Sequence, residues 1–243
     1  MPVRPLSGRR IVTTRDRPGR LDSSLAGLGA DVIHVPLIRI EDPIDGGTSL
    51  ARALARVHEF DWVVVTSRHG ATRIADSVVG HPAIRLAAVG SRTASALASA
   101  TGREVDVVPE RQTAAELVGS MSGGSGRVLV AQADRADATL AAGLAAAGFE
   151  VEVVTAYRTV LRAPSEPERA AAVDADALIL ASGSAADAWA DAFGTVAPPV
   201  VAAIGPQTAA AAERRGLKVS HVAADHHVEG LVDVVLTAFT TAP

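Results

Sequence analysis

The chain predicts an α/β protein of two similar lobes, each a five-stranded parallel sheet flanked by helices. Short apolar runs alternate with longer helical patterns, the signature of βαβ units and parallel sheets. The same strand–loop–helix program also occurs twice. Thr66-Ser67 recurs as Ala181-Ser182, and Ala88-Val89-Gly90-Ser91-Arg92-Thr93-Ala94 as Ala203-Ile204-Gly205-Pro206-Gln207-Thr208-Ala209, at a constant offset of 115 residues. Residues 8–13 repeat as 126–131, at an offset of 118.

Strands are expected, in order, at 10–14, 31–36, 61–66, 84–89, 105–108, 127–131, 150–155, 176–181, 200–204 and 219–222. Several are near-continuous Val, Ile and Ala, as strands covered on both faces require. Helices fill the gaps, for example at 21–28, 94–100, 139–147 and 208–215, and Gly29, Gly102, Gly148 and Gly216 follow them as stops. Leu21, Leu25 and Leu28 keep one apolar helix face, as do Leu140 and Leu144 in the matching helix.

Residues 37–41 and 157–161 mix apolar and charged side chains at equivalent places in the two copies. They read as extended crossings outside the sheets. The lobes could be sequential, divided near Ser122-Gly123-Gly124-Ser125-Gly126, or the chain could cross and return. Paired connectors favour crossing. That gives a discontinuous lobe of 1–36 plus 162–243, an inserted lobe of 42–156, and a connector of 37–41 and 157–161.

Composition narrows the function. With 243 residues, 48% of them hydrophobic, the chain can fill two cores, and 3% aromatics leaves Ala, Val, Leu and Ile to pack them. The lack of cysteine excludes a disulfide scaffold, a cysteine nucleophile and thiolate metal sites. A net charge of −4 speaks against nucleic acid as a partner. Lys218 is the one lysine among 23 basic residues, a bias that genomic base composition explains without any anion site. No stretch reaches the ~20 apolar residues of a membrane span. Met1-Pro2-Val3-Arg4-Pro5-Leu6-Ser7 does not continue into a signal-peptide core. A cytoplasmic monomer without a membrane partner is therefore expected.

Familiar cofactor signatures fail. There is no Walker loop, no GxGxxG follows a strand, and Gly123-Gly124-Ser125-Gly126 precedes a strand instead of opening a helix. Asp225-His226-His227 begins an expected helix, where such groups serve as caps, and Glu229 completes no zinc spacing. Neither a cofactor nor a metal is expected.

What remains is a set of helix N-termini: Thr66-Ser67, Ser91-Arg92-Thr93, Ser182-Gly183-Ser184 and Gly205-Pro206-Gln207-Thr208, each just after a strand. Unpaired backbone N–H groups and the helix dipole favour anions there, although Ser and Thr cap helices in any case. Matching capped turns in both copies point jointly to an anionic ligand in one cleft. Arg15, at the end of the first strand, has the fork that grips a carboxylate; a surface salt bridge is its plainer role. Tyr157, the only tyrosine, lies beside an expected crossing, where its hydroxyl could donate to a departing oxygen or simply pack. Trp62 and Trp189 are expected to pack within their lobes.

In their order and spacing these residues resemble the uroporphyrinogen-III synthase family over nearly the whole chain. The resemblance rests on Thr14-Arg15, Thr66-Ser67, Ala88-Val89-Gly90 with Thr93, Tyr157, Ser182-Gly183-Ser184-Ala185, residues 203–209 and His227-Val228-Glu229-Gly230-Leu231. His69 stands where Asn is common, and Ala181 where Thr is common. The resemblance implies two flavodoxin-like lobes joined by a two-stranded connector, and cofactor-independent closure of hydroxymethylbilane, an octacarboxylate. Closure loses water and inverts ring D, through an azafulvene cation and a spiro intermediate. It assigns Tyr157 to assisting departure of the hydroxyl. Arg15, Thr66, Ser67, Ser91, Thr93, Ser182, Ser184 and Thr208 would bind or orient substrate. The rival expectation is a two-lobed module that binds or senses a small anion without catalysis, since fold alone does not decide function.

Overall fold

The computed structural model describes residues 4–121 and 123–240. Ser122 of the expected turn and Met1 to Val3 of the chain's start lie outside the described residues. In chain order the elements are β1 (Arg10–Thr13), α1 (Arg20–Gly27), β2 (Asp31–His34), β3 (Ile38–Glu41), α2 (Thr48–Ala55), β4 (Trp62–Val65), α3 (Arg68–Val79), β5 (Arg85–Ala88), α4 (Ser91–Thr101) and α5 (Ala114–Met121). They continue with β6 (Arg127–Ala133), α6 (Thr139–Ala146), β7 (Glu150–Leu161), α7 (Glu166–Val173), β8 (Ala177–Leu180), α8 (Gly183–Phe193), β9 (Val200–Ala203), α9 (Pro206–Arg214), β10 (His221–Val222) and α10 (Val228–Thr240).

The chain forms two compact units, one of residues up to Arg39 together with those from Val160 onward, the other Ile40–Thr159. The first unit holds a sheet in the order β10-β9-β8-β1-β2, with all four pairings parallel. Its core lies on both faces because alternate residues of a strand point opposite ways. Val12, Leu178 and Leu180 join Trp189 and Ala212 on one face, while Ile11, Ala177 and Ile179 join Leu21, Leu25 and Leu231 on the other. Trp189 is fully buried, stacks on Phe193 and donates its indole N–H to the Val196 carbonyl at 2.9 Å.

The second unit's sheet runs β3-β7-β6-β4-β5, and its β7/β6, β6/β4 and β4/β5 pairings are parallel. Val63 and Val65 face Ile74, Leu97 and Leu129, and Trp62 and Val64 face Leu117, Leu140 and Leu144. The near-continuous apolar runs are thus explained by two covered faces. Trp62 is 5% exposed with the Arg85 guanidinium 4.0 Å above its ring.

The repeat is carried into the hydrogen bonds. Asp61 accepts from the backbone N–H of Arg127, which opens β6, at 2.8 Å. Asp176 does the same for Arg10, which opens β1, at 2.7 Å. Helix stops follow expectation: Gly102 and Gly216 take φ of +66° and +79°, where a side chain would be strained.

Two strand expectations need correction. Residues 105–108 form no strand, only a bridge between Val107 and Ala87. Pro109 ends the run, and the Asp106 carboxylate takes the Leu86 N–H at 2.7 Å where a ladder bond would lie. Residues 37–41 and 157–161 are expected outside the sheets, yet Ile38–Glu41 is the edge strand β3 and β7 continues through Leu161. The reason is pairing: β6 reaches Ala133 and partners β7 as far as Tyr157, the Asp134 N–H donates to the Tyr157 carbonyl at 3.0 Å, and β7 has β3 as its neighbour on the other side.

Candidate functional site

The residues chosen from the sequence divide between the two units. Arg15, Ser182, Ser184 and Thr208 fall in the unit that contains β1, while Thr66, Ser67, Ser91, Thr93 and Tyr157 fall in the other. Within each unit the strand order places them at neighbouring turns, since β4 pairs with β5 and β8 with β9.

In the second unit, Ser67 opens α3, and its hydroxyl oxygen accepts from the Gly70 N–H at 3.1 Å. Gly70 lets α3 approach β6 closely: an added Cβ would stand 3.2 Å from the Ala131 carbonyl of β6. Thr66, before it, is half-buried. Gly90 opens α4, Ser91 is the first helical residue, and Thr93 in the same turn is 8% exposed. The α4 end is not bare. The Gln112 carboxamide accepts from the Ser91 N–H and donates to its hydroxyl, both at 3.2 Å.

In the first unit, Ser182 repeats the bond of Ser67, accepting from the Ala185 N–H at 3.1 Å, and its hydroxyl lies 3.0 Å from that of Ser184. Gly205 opens α9, Pro206 fills a first-turn place that needs no N–H, and Thr208 is 6% exposed. The His226 ring covers this end so closely that a Cβ on Gly205 would meet it at 3.0 Å. The expected capping role of the Asp225-His226-His227 run is seen at His227, whose Nδ1 accepts from the Gly230 N–H at 3.2 Å.

Arg15 follows β1, and its carbonyl accepts from His34 Nε2 at 2.8 Å. The nearby α1 end already carries its own anion. Asp22, 7% exposed, accepts from the Gly19 N–H at 2.7 Å and from the Thr13 hydroxyl at 2.5 Å. That helix end is therefore closed by a carboxylate of its own.

Tyr157 is 7% exposed on β7 and belongs to the same apolar cluster as its neighbour Ala156. Successive strand residues normally face opposite sides. Here the pairing shifts between Gln132 and Ala133, so Gln132 lies opposite Thr155 and Ala133 opposite Tyr157. The extra residue, Ala156, re-aims the tyrosine onto the core face. Among the described residues, none hydrogen-bonds the Tyr157 hydroxyl.

Sequence reasoning missed Asp22, Gln112 and the shift at Ala156. Asp22 had a signal, since it stands three residues after Gly19 in the spacing of a capping box. Gln112 had none, because its partner Ser91 is 21 residues away.

A family model described as uroporphyrinogen-III synthase HemD matches residues 19–233. The chain belongs to the uroporphyrinogen-III synthase family. It is 27% identical to the chloroplastic uroporphyrinogen-III synthase of Oryza sativa over 94% of this chain and 80% of that one. Over 44% of its length it is 32% identical to the porphyrin biosynthesis protein HemD of Ruminiclostridium josui, covering 23% of that protein. Its fold is shared with uroporphyrinogen-III synthetase of Helicobacter pylori at a TM-score of 0.66 and 17% identity, covering 95% of this chain and 99% of that one. A mutant uroporphyrinogen III synthase of Thermus thermophilus gives 0.59 at 19% identity, covering 96% and 99%. The family match decides for the cyclase over the binding module. Among the described residues no helix is long and apolar enough to cross a membrane. The rice relative is chloroplastic, so the similarity carries no cytoplasmic address.

Proposed function

We propose that this chain closes hydroxymethylbilane to uroporphyrinogen III, inverting ring D and releasing water, with Tyr157 assisting departure of the hydroxyl. The match to the synthase family over residues 19–233 carries the reading. The position of Tyr157 supports it, because a nearly buried phenol whose hydroxyl has no partner among the described residues is available to a ligand.

Each residue then has a role. The C–O bond of the substrate breaks with its electron pair on oxygen, the Tyr157 hydroxyl gives that oxygen its proton so that it leaves as water, and the tyrosine regains a proton from the pyrrole carbon that sheds one at ring closure. The cation formed is an azafulvene on the substrate itself. Arg15 pairs with a substrate carboxylate. Ser67, Ser91, Ser182 and Ser184, with Thr66, Thr93 and Thr208, present hydroxyls and first-turn N–H groups to other carboxylates. Binding at several points holds the two ends of the chain for attack through the spiro intermediate. Orientation of this kind is worth up to about 7–11 kcal/mol.

We also read both units as flavodoxin-like lobes joined by 37–41 and 157–161. Support comes from the first sheet: in order of appearance its strands lie as 2-1-3-4-5, the flavodoxin pattern.

Freshly made hydroxymethylbilane, followed by oxidation and separation of isomers, tests the reading. The type III isomer should dominate. Type I alone, at the rate without protein, would overturn it.

A further inference from the structure

The Tyr157 ring is gripped by two residues of one helix face. His69 and Arg73 stand four apart on α3, which puts both side chains on the same side of the helix. The His69 ring meets the tyrosine edge-on with centroids 5.4 Å apart, and the Arg73 guanidinium carbon lies 5.7 Å from the tyrosine centroid. Arg73 is itself anchored. Its Nη2 donates to Asp42 Oδ1 at 3.3 Å, and its side chain is only 26% exposed against 75% for Asp42. With no described residue bonding the phenol hydroxyl, its direction depends on whatever fixes the ring.

We propose that Arg73, together with His69, is a positioning residue for ring closure. The pair sets the plane and depth of the Tyr157 ring so that its hydroxyl meets the departing oxygen. This rests on the role of Tyr157 proposed above. Both contacts suit that purpose, because a cation over the ring and a ring edge against it restrain tilt without occupying the hydroxyl.

Kinetics of three variants and one double variant test the proposal. Arg73→Met keeps most of the stem and removes the charge, so kcat should fall by roughly three- to thirtyfold, the range of a partly desolvated cation–π contact. KM should move less than about twofold, because no substrate contact is lost. Arg73→Lys should recover part of kcat, and it carries the same test if Arg73→Met does not fold. In a Tyr157→Phe background, Arg73→Met should lower kcat no further, since the hydroxyl it orients is gone. Tyr157 is the only tyrosine, so a ring-labelled sample reports it alone, and its resonances should shift in Arg73→Met. An equal loss of kcat with or without the tyrosine hydroxyl would overturn the proposal, as would a raised KM at unchanged kcat. An active protein impaired by Tyr157→Phe but not by either Arg73 variant would overturn it alone. A wild type yielding only the type I isomer would overturn the functional reading as well.

Discussion

Ser67 and Ser182, 115 residues apart, make the same hydrogen bond: each hydroxyl oxygen accepts from the backbone N–H three residues ahead at 3.1 Å. The bond satisfies one of the donors that a helix start leaves open. Ser67→Ala and Ser182→Ala should each cost about 1 kcal/mol, read as a lower urea midpoint at unchanged slope. No loss in either variant would show that water replaces the cap.

Tyr157→Phe removes one oxygen from a ring that is otherwise packed in its core. Turnover should fall by roughly a hundredfold with KM within about twofold, since a positioned proton donor acts in the transition state. Unchanged turnover would remove Tyr157 from the reaction.

Arg15→Ala should act the other way, raising KM by roughly tenfold, the value of one hydrogen bond to a charged group, while kcat holds. An unaltered KM would leave Arg15 with a structural role.

Acid should unsettle the unit that contains α7. The Arg162 guanidinium, which donates to both carboxylate oxygens of Glu168 at 2.8 Å, holds that carboxyl down to about 2 from 4.5, and the Ser165 N–H adds to this. A depressed carboxyl contributes stability that is complete above its unfolded value and lost as pH falls toward the folded one. The melting temperature of the wild type should therefore drop between pH 4.5 and 2 more steeply than that of Glu168→Gln. Parallel curves would count against the pair.

Two glycine replacements should have opposite signs. A Cβ on Gly230 would lie 2.1 Å from the Asp225 carbonyl oxygen, so Gly230→Ala must displace the start of α10 and should cost about 2–4 kcal/mol. Gly119, within α5, has open space around it, and Gly119→Ala should stabilise by about 0.5–1 kcal/mol. Denaturant unfolding distinguishes the two directly.

Much of this architecture is legible in the chain because the informative residues act locally. Ser67, Gly90 and Thr93, and their counterparts Ser182, Gly205 and Thr208, mark strand-to-helix turns by their own chemistry, and duplication makes each reading check the other. What stays hidden depends on partners far away in sequence. The fate of residues 105–108 turns on a carboxylate bond to Leu86, and that of 157–161 on partners in β6 and β3. The orientation of Tyr157 turns on one inserted residue opposite Gln132 and Ala133, and no periodicity in β7 announces it. The closed end of α4 is equally silent, since only folding brings Gln112 to Ser91.

One margin of each sheet is short, and this has a further effect. The first sheet ends on the two-residue β10, and beyond β5 the second has only the bridge at Val107. A margin so brief offers a neighbouring molecule almost no row of backbone groups to extend, which blunts the template for fibril-like stacking. At these margins, crowding in a concentrated solution has little to seize.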